Sequence, residues 1–201
     1  MNAIYRYRWM VILLAVAFLA ASCGKKVSRM EAGEVKDLSG RWNDTDSQLV
    51  SKEMIKDSLS WPWINQWIQK KGKNPAVMTL GVKNKSSEHI NTRTFMKDLE
   101  RAFLRSGRVT VVADSEQKKA IRAERADQQT GSVGNPAAIG RELGADFILT
   151  GELNTISDQE GGKRIMFYQI NLELINVETN TKVWIGDKKI KKFIEKSRLR
   201  F

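Results

Sequence analysis

The sequence predicts an α+β fold in which a mixed β-sheet packs against helices. Two helix patterns come first, a strand–helix–strand pattern follows, and the last third of the chain alternates apolar with polar residues, as strands do. The strand–helix–strand unit predicts two parallel strands joined by a right-handed crossover. Short turn sequences between the last strands predict antiparallel pairing. We therefore expect a βαβ unit followed by a C-terminal β-meander.

The first two helices are predicted from their end signals and their apolar spacing. Residues 43–46, Asn-Asp-Thr-Asp, offer N-cap side chains and carboxylates that favour the positive end of a helix dipole. An apolar stripe at helical spacing follows over residues 47–59. The stretch WPWINQWIQKKG, residues 61–72, predicts a short second helix, with Pro62 in its first turn and Gly72 at its end.

The central part of the chain predicts the βαβ unit. A compact apolar run at residues 76–82 predicts a buried strand, and the β-branched run RVTVVAD at 108–114 predicts a second strand. Between them we expect a helix that Asn91 caps, that carries an apolar stripe, and that Gly107 ends.

The rest of the domain predicts two more helices and three more strands. Helix patterns cover residues 115–127 and 136–143, with an open, glycine-containing loop between them. Strand patterns cover residues 145–153, 164–177 and 182–186, and the sequence VETNT makes the turn before the last strand.

The only cysteine, Cys23, directly follows a short apolar run. Residues 1–22 carry Arg6 and Arg8 and then 13 apolar residues, Trp9–Ala21. Such a run is shorter than the roughly 20 residues of a spanning helix and is typical of a bacterial export signal. The placement resembles the lipobox of bacterial lipoproteins, so we predict a signal peptide over 1–22 and lipidation of Cys23. The alternatives are an incidental cysteine and an uncleaved signal anchor.

Residues 23–40 are predicted to be the lipidated cysteine and a short flexible tether. The sequence GKKVSRMEAGEVKDLSG has mixed charge and no periodicity, and its 17 residues reach at most roughly 60 Å. The globular domain is then expected over residues 41–190, and residues 191–201 are predicted to be a basic C-terminal tail.

The chain is basic, with 34 Lys and Arg against 23 Asp and Glu and a formal net charge of +11. Part of the excess lies in KKIKKFIEKSRLRF, residues 188–201, where seven cations face Glu195 alone. Such a segment can contact anionic lipid or an anionic polymer. Export to the cell envelope argues against nucleic acid as a partner. The alternative is a solvated terminus without a partner.

The sequence offers no group of residues that fits a catalytic or metal-binding pattern. His89 is the only histidine and the only cysteine is predicted to be acylated, which excludes zinc sites built from these two residue types. Nucleophile-elbow and P-loop patterns are missing, and Asp44 and Asp46 fit a helix cap better than a calcium loop. We therefore expect a protein that is not an enzyme and that needs no cofactor or metal.

Tryptophans cluster on the second predicted helix, next to lysines. Exposed tryptophan beside cations would provide a surface for a protein or sugar-polymer partner. The alternative is that these rings belong to the core. The candidate partner-binding residues are Trp61, Trp63, Trp67, Lys70 and Lys71. The open loop at 127–135 is a second candidate surface.

Three sequence blocks together resemble the penicillin-binding-protein activator lipoproteins of the LpoB type. These blocks are SGRWNDTDSQLV, AIGRELGADFILTGEL and INLELINVETNTKVWIG, and the resemblance spans roughly residues 38–190. It implies a fold similar to the N-terminal domain of TolB and an outer-membrane lipoprotein that faces the periplasm. It also implies that the domain binds a bifunctional peptidoglycan synthase, a penicillin-binding protein, and stimulates it, without catalysis or cofactor.

One feature departs from this family. Its well-known members have a long, proline-rich tether that reaches a synthase in the inner membrane, whereas the tether here is about 17 residues long and contains no proline. The alternative function is therefore a non-catalytic assembly or structural lipoprotein of an outer-membrane or secretion complex.

Overall fold

The computed structural model describes residues 28–31, 33–130 and 142–195. Every element below belongs to the compact unit Val35–Phe201. The described residues contain four helices, α1 (Asp44–Ser60), α2 (Trp63–Lys71), α3 (Arg93–Ser106) and α4 (Ser115–Gln129). They also contain five strands, β1 (Ala76–Asn84), β2 (Thr110–Val111), β3 (Phe147–Glu160), β4 (Lys163–Asn176) and β5 (Lys182–Glu195).

The five strands form one mixed sheet in the order β2-β1-β3-β4-β5. Strand β1 pairs in parallel with both β2 and β3, while β3, β4 and β5 pair antiparallel. This arrangement confirms the predicted α+β fold, with its βαβ unit at one side of the sheet and its meander at the other.

The helix ends follow the local signals in most places. Asn43 caps α1 in a capping box, in which its side chain accepts from the Asp46 N–H and the Asp46 side chain accepts from the Asn43 N–H. Gly72 ends α2 and Gly107 ends α3, both with positive φ, as predicted. The predicted cap of α3 is one residue early, because Thr92 is the N-cap and the Asn91 side chain instead accepts from the Arg93 N–H at 3.1 Å.

Two strand predictions differ from the structure in length. Strand β2 has only two residues, because Asp114 already begins the cap of α4. Strand β5 does not end at residue 186 but continues to Glu195. Residues 191–195, predicted to belong to a basic tail, are therefore the last part of a strand. Residues 196–201 and most of the predicted helix at 136–143 lie outside the described residues.

The core lies between one face of the sheet and helices α1, α2 and α3. The sheet contributes the alternate side chains Phe147, Leu149, Leu153, Met166, Tyr168, Ile170, Leu172, Leu174 and Trp184. The helices contribute Val50, Met54, Trp63, Ile64, Trp67, Phe95, Leu99 and Phe103. In contrast, the outward-facing side chains of β3, β4 and β5 are all half-buried or exposed. The sheet therefore has one helix-covered face and one outer face.

Candidate partner-binding surfaces

The last part of the sheet is a three-stranded extension. Strand β1 ends opposite Leu153, and beyond that point β3, β4 and β5 continue together. We call this extension, residues 154–160, 163–169 and 189–195, the arm. The turn at its tip consists of Gly161 and Gly162, which both have positive φ and so suit the tight connection between β3 and β4.

The outer side of the arm carries an exposed apolar patch. Ile156 pairs with Phe167 across β3 and β4, and Ile165 pairs with Phe193 across β4 and β5. Ile156 is 67% exposed and Phe193 is 62% exposed, while the other two side chains are half-buried. Because these four lie on adjacent rungs of one sheet face, they form a single patch that nothing covers among the described residues.

The inner side of the arm holds the segment that precedes α1. Gly40 lies so close to Ile194 that a Cβ atom at this position would overlap the Ile194 Cγ1, and its φ of +65° also favours glycine. A cavity beside this contact is lined by Ser39, Arg41 and Arg164, among others.

A buried cation fixes this segment in place. The Lys192 Nζ donates to the Asp37 carboxylate at 2.9 Å and to the backbone oxygen of Arg41 at 3.0 Å, and it lies 2.7 Å from Asp46 Oδ2. The side chains of Lys192 and Asp46 are 11% and 4% exposed. Lys192, on β5, thus joins the N-terminal segment to the first turn of α1.

A second acid, Glu88, binds the same segment from the loop after β1. Its Oε2 accepts from the backbone N–H of Trp42 at 3.1 Å, and its Oε1 accepts from the Tyr168 hydroxyl at 2.9 Å. The rings of Trp42 and Tyr168 meet edge to face, with centroids 5.4 Å apart. The entry of the chain into the domain is therefore held by charge, hydrogen bonds and aromatic packing together.

These contacts change the titration of the groups involved. Burial acts to lower the pKa of Lys192, but the hydrogen bonds and charges of Asp46 and Asp37 outweigh it, so this pKa is raised. Burial raises the pKa of Tyr168, and the nearby Glu88 carboxylate raises it further. The hydrogen bond and charge of Lys192 lower the pKa of Asp37. The network is therefore assembled with Lys192 charged and Tyr168 neutral.

The predicted tryptophan surface is only partly a surface. Trp63 is 3% exposed and Trp67 is 7% exposed, so both rings belong to the core, and their contact with a partner stays a prediction. Both rings pack edge to face against Phe147, with centroids 5.3 Å and 4.8 Å away, and the Trp63 Nε1 donates to the Ser58 oxygen at 2.8 Å. Helix α2 buries this side because it closes one end of the core.

The remaining predicted residues are exposed at the two ends of α2. Trp61 is 40% exposed just before the helix, and Lys70 and Lys71 are exposed in its last turn. The nine-residue helix separates these ends by about 14 Å. Lys71 is partly engaged, since its Nζ lies 3.1 Å from Glu178 Oε2 and 5.4 Å from the Trp67 ring centroid. The structure therefore places Trp61 and Lys70 on the surface without bringing them together.

Two lysines of the basic segment at residues 188–201 form ion pairs that the sequence does not predict. Lys192 is held by Asp37 and Asp46, and the Lys188 Nζ lies 3.4 Å from Glu53 on α1. Among the described residues of this segment, Lys189 and Lys191 are the exposed cations, and Lys189 lies 3.3 Å from Asp187. The sequence signal that was missed is that Ile190 and Ile194 alternate with neighbours that are exposed in the structure. This alternation indicates that β5 continues beyond residue 186.

Other candidates are less informative. Cys23 and residues 131–135 of the candidate loop lie outside the described residues, and Asp127–Gln129 are the end of α4. Within the described ranges, His, Cys, Asp and Glu never gather in the threes that a metal ion would need. In the same ranges every helix is too short or too polar to cross a membrane.

The comparisons with solved structures find matches at low identity. The LpoB C-terminal domain from Salmonella enterica is 18% identical, with a TM-score of 0.35, and the match covers 64% of this chain and 93% of that chain. The LpoB C-terminal domain from Escherichia coli is 17% identical, with a TM-score of 0.35, covering 73% and 98%. Lipoprotein GNA1162 from Neisseria meningitidis is 13% identical, with a TM-score of 0.37, covering 62% and 88%.

Comparison with the curated proteins gave no match. The model of the family described as peptidoglycan-synthase activator LpoB matches residues 46–190, which run from the first turn of α1 into β5. The match confirms the resemblance drawn from the three sequence blocks, and its extent leaves only the chain ends uncovered. The chain belongs to the LpoB family of peptidoglycan-synthase activators.

Proposed function

We propose that this protein is a lipid-anchored envelope protein that binds a bifunctional peptidoglycan synthase and stimulates it, thereby regulating cell-wall synthesis. The observation that carries the proposal is the family match over residues 46–190, which covers all four helices and most of the sheet. An activator without catalytic groups acts by binding, because a ligand shifts its target towards the conformation for which it has the higher affinity.

The lipid anchor is part of this proposal and rests on the sequence around Cys23. Small residues precede the cysteine, a short apolar run precedes them, and no other cysteine competes for the role. Gly24 and Lys25 follow, without the aspartate that retains enteric lipoproteins in the inner membrane. We therefore assign the protein to the outer membrane, with its domain in the periplasm.

For the synthase contact we propose the exposed residues at the two ends of α2, namely Trp61 just before the helix and Lys70 in its last turn. Tryptophan is among the residue types that dominate protein interfaces when a partner covers them. Lys70 adds a cation at the other end of the helix, and its side chain has no ion pair among the described residues.

The experiment is a reconstitution of the full-length lipidated protein with a bifunctional synthase from the same cells. Affinity capture measures binding, and glycan-chain and cross-link formation measure stimulation. We expect both with the wild type, and weaker capture with the pair Trp61→Ser and Lys70→Glu. The matched control is Ile121→Ser on α4, which removes another exposed apolar side chain at 42% exposure. Absence of both binding and stimulation by the wild type would refute the proposal.

The second candidate is a non-catalytic assembly lipoprotein of an outer-membrane or secretion complex. The short tether favours it, since the 17 residues after Cys23 span at most roughly 60 Å even when fully extended. Crosslinking in native cells followed by mass spectrometry distinguishes the two. Recovery of outer-membrane or secretion components without a synthase would favour assembly, and recovery of a bifunctional penicillin-binding protein would favour activation.

A further inference from the structure

The charges on the outer side of the arm lie at two separate ends. Lys189 and Lys191 occupy the two rungs nearest the body of the sheet, and neither rung carries an acid on this side. The two rungs nearest the tip carry three acids and one cation, namely Asp158, Glu160, Glu195 and Lys163. All six side chains are exposed. The charges sum to zero, but the body end is positive and the tip end is negative.

The apolar patch lies in the middle of this arrangement. Ile156 and Phe167 share one of the two central rungs, and Ile165 and Phe193 share the other. Apolar side chains that are exposed as a group mark a surface that another molecule covers. The molecule that fits must be apolar in its middle, and it must place negative charge against the body end and positive charge against the tip end.

A second copy of the arm, turned end to end, has this distribution of charge. When two outer sides stack with their strands antiparallel, the central rungs meet, and Phe167 lies opposite Ile165 of the second copy. Lys189 then lies opposite Glu195 of the second copy. Because the arrangement has two-fold symmetry, each of these contacts forms twice.

Both of these charges also have a neighbour of opposite sign within the chain. Lys189 lies 3.3 Å from Asp187, which is one rung nearer the body, and Glu195 lies 3.7 Å from Lys163. All four side chains are more than half exposed, and ion pairs between exposed groups contribute little in water. The contacts within the chain therefore leave both charges able to pair with a second copy.

We infer that the outer side of the arm is a contact surface between two copies of this chain, stacked face to face with antiparallel arms. Each copy contributes about 340 Å² of sheet, from three strands about 4.8 Å apart and about 24 Å long. Stable complexes bury about 800 Å² per partner, so this dimer is weak and forms as the protein concentration rises. The helices lie on the opposite face of the sheet, so the dimer leaves them open to another partner.

The test is sedimentation equilibrium of the full-length protein in detergent, with micelles in large excess so that two copies do not share one. We expect the wild type to associate reversibly between micromolar and millimolar concentrations. Lys189→Glu and Glu195→Lys each turn both symmetry-related contacts from attraction to repulsion, so each should weaken association about tenfold or more. The matched control is Lys119→Glu on α4, which makes the same charge change at an exposed lysine away from the arm and should leave association unchanged.

Mixing the two arm variants tests the antiparallel arrangement itself. In a mixed dimer each of the two contacts joins an acid to a lysine, so the mixture should associate about as strongly as the wild type although neither variant does so alone. A mixture that stays monomeric overturns the inference, and so does a wild type that stays monomeric at millimolar concentration. If such a monomeric wild type captures a synthase and Lys189→Glu does not, the synthase covers this surface and the dimer is refuted.

Discussion

Replacing Lys192 by methionine removes the ammonium group that holds the N-terminal segment to the domain. Methionine keeps a flexible apolar stem of similar length, so packing along the stem changes little. Asp46, whose side chain is 4% exposed, then loses its cation at 2.7 Å. It keeps one hydrogen bond, from the Asn43 N–H at 2.9 Å.

The magnitude follows from the burial of Asp46. Removing one partner of a buried ion pair costs about 3–5 kcal/mol, because the remaining charge is uncompensated. We expect the lower end, about 3 kcal/mol, since the retained hydrogen bond still stabilises the carboxylate. The contact to Asp37 adds little, because water screens that exposed carboxylate.

The assay is urea unfolding of the purified protein, followed by tryptophan fluorescence. With a slope of about 2 kcal/mol per molar urea, the midpoint of Lys192→Met should fall by about 1.5 M. The matched control is Lys191→Met, the next residue, whose exposed side chain has no ion pair among the described residues. An exposed substitution of this kind should change the free energy of unfolding by no more than about 0.5 kcal/mol.

The double variant Lys192→Met with Asp46→Asn checks the proposed cause. If an uncompensated buried charge is responsible, removing that charge should restore part of the lost stability. Equal midpoints for Lys192→Met and Lys191→Met would refute the reasoning, and so would a double variant that loses the full sum of the two single effects.

Three further predictions use the same unfolding measurement. Gly186→Ala should lower the free energy of unfolding by about 1–3 kcal/mol, because the new Cβ would overlap a carbon of the Trp184 indole ring. The control Gly144→Ala should leave the stability unchanged, because a Cβ at this position meets open space. The pKa of Tyr168 is raised in the folded protein, so the free energy of unfolding should hold its full value below the unfolded pKa of about 10 and fall as the pH rises above it. Tyr168→Phe removes the titrating hydroxyl and should therefore make the loss of stability between about pH 10 and 11 less steep. Trp63→Ala should lower the free energy of unfolding by about 3–5 kcal/mol, because this ring is buried, whereas Trp61→Ala should lower it by less than about 1 kcal/mol, because this ring is exposed. Similar losses of stability in the two variants would contradict this difference in burial.

The features that the sequence predicts well depend on near neighbours in the chain. The cap at Asn43 needs only Asp46, three residues away, and the glycines that end α2 and α3 act through their own backbone conformation. The alternation of apolar and polar residues along β4 directly indicates a sheet with one buried face. These signals determined the order of elements and the parallel and antiparallel parts of the sheet.

The features that it predicts poorly depend on contacts between distant segments. Lys188 and Lys192 look like part of a solvated tail, yet both face the helix side of β5, where Glu53 and Asp46 neutralise them. The partners lie more than a hundred residues earlier, so no local pattern marks the pairing. The burial of Trp63 likewise depends on Phe103 and Phe147, which come from α3 and β3.

Under the proposed function, the predicted tether and the place where the chain enters the domain together constrain how the domain would reach a synthase. The described N-terminal segment enters the domain on the inner side of the arm, where Lys192 holds Asp37 and Ile194 packs against Gly40. This is the face of the sheet that the helices cover, and the same Lys192 binds Asp46 in the first turn of α1. A tether of about 17 residues then limits how far the helix layer can lie from the membrane. Releasing α1 from the core would add length, but it would expose Val50 and Met54 and break the Lys192–Asp46 ion pair, so the reach of the domain is set by the tether.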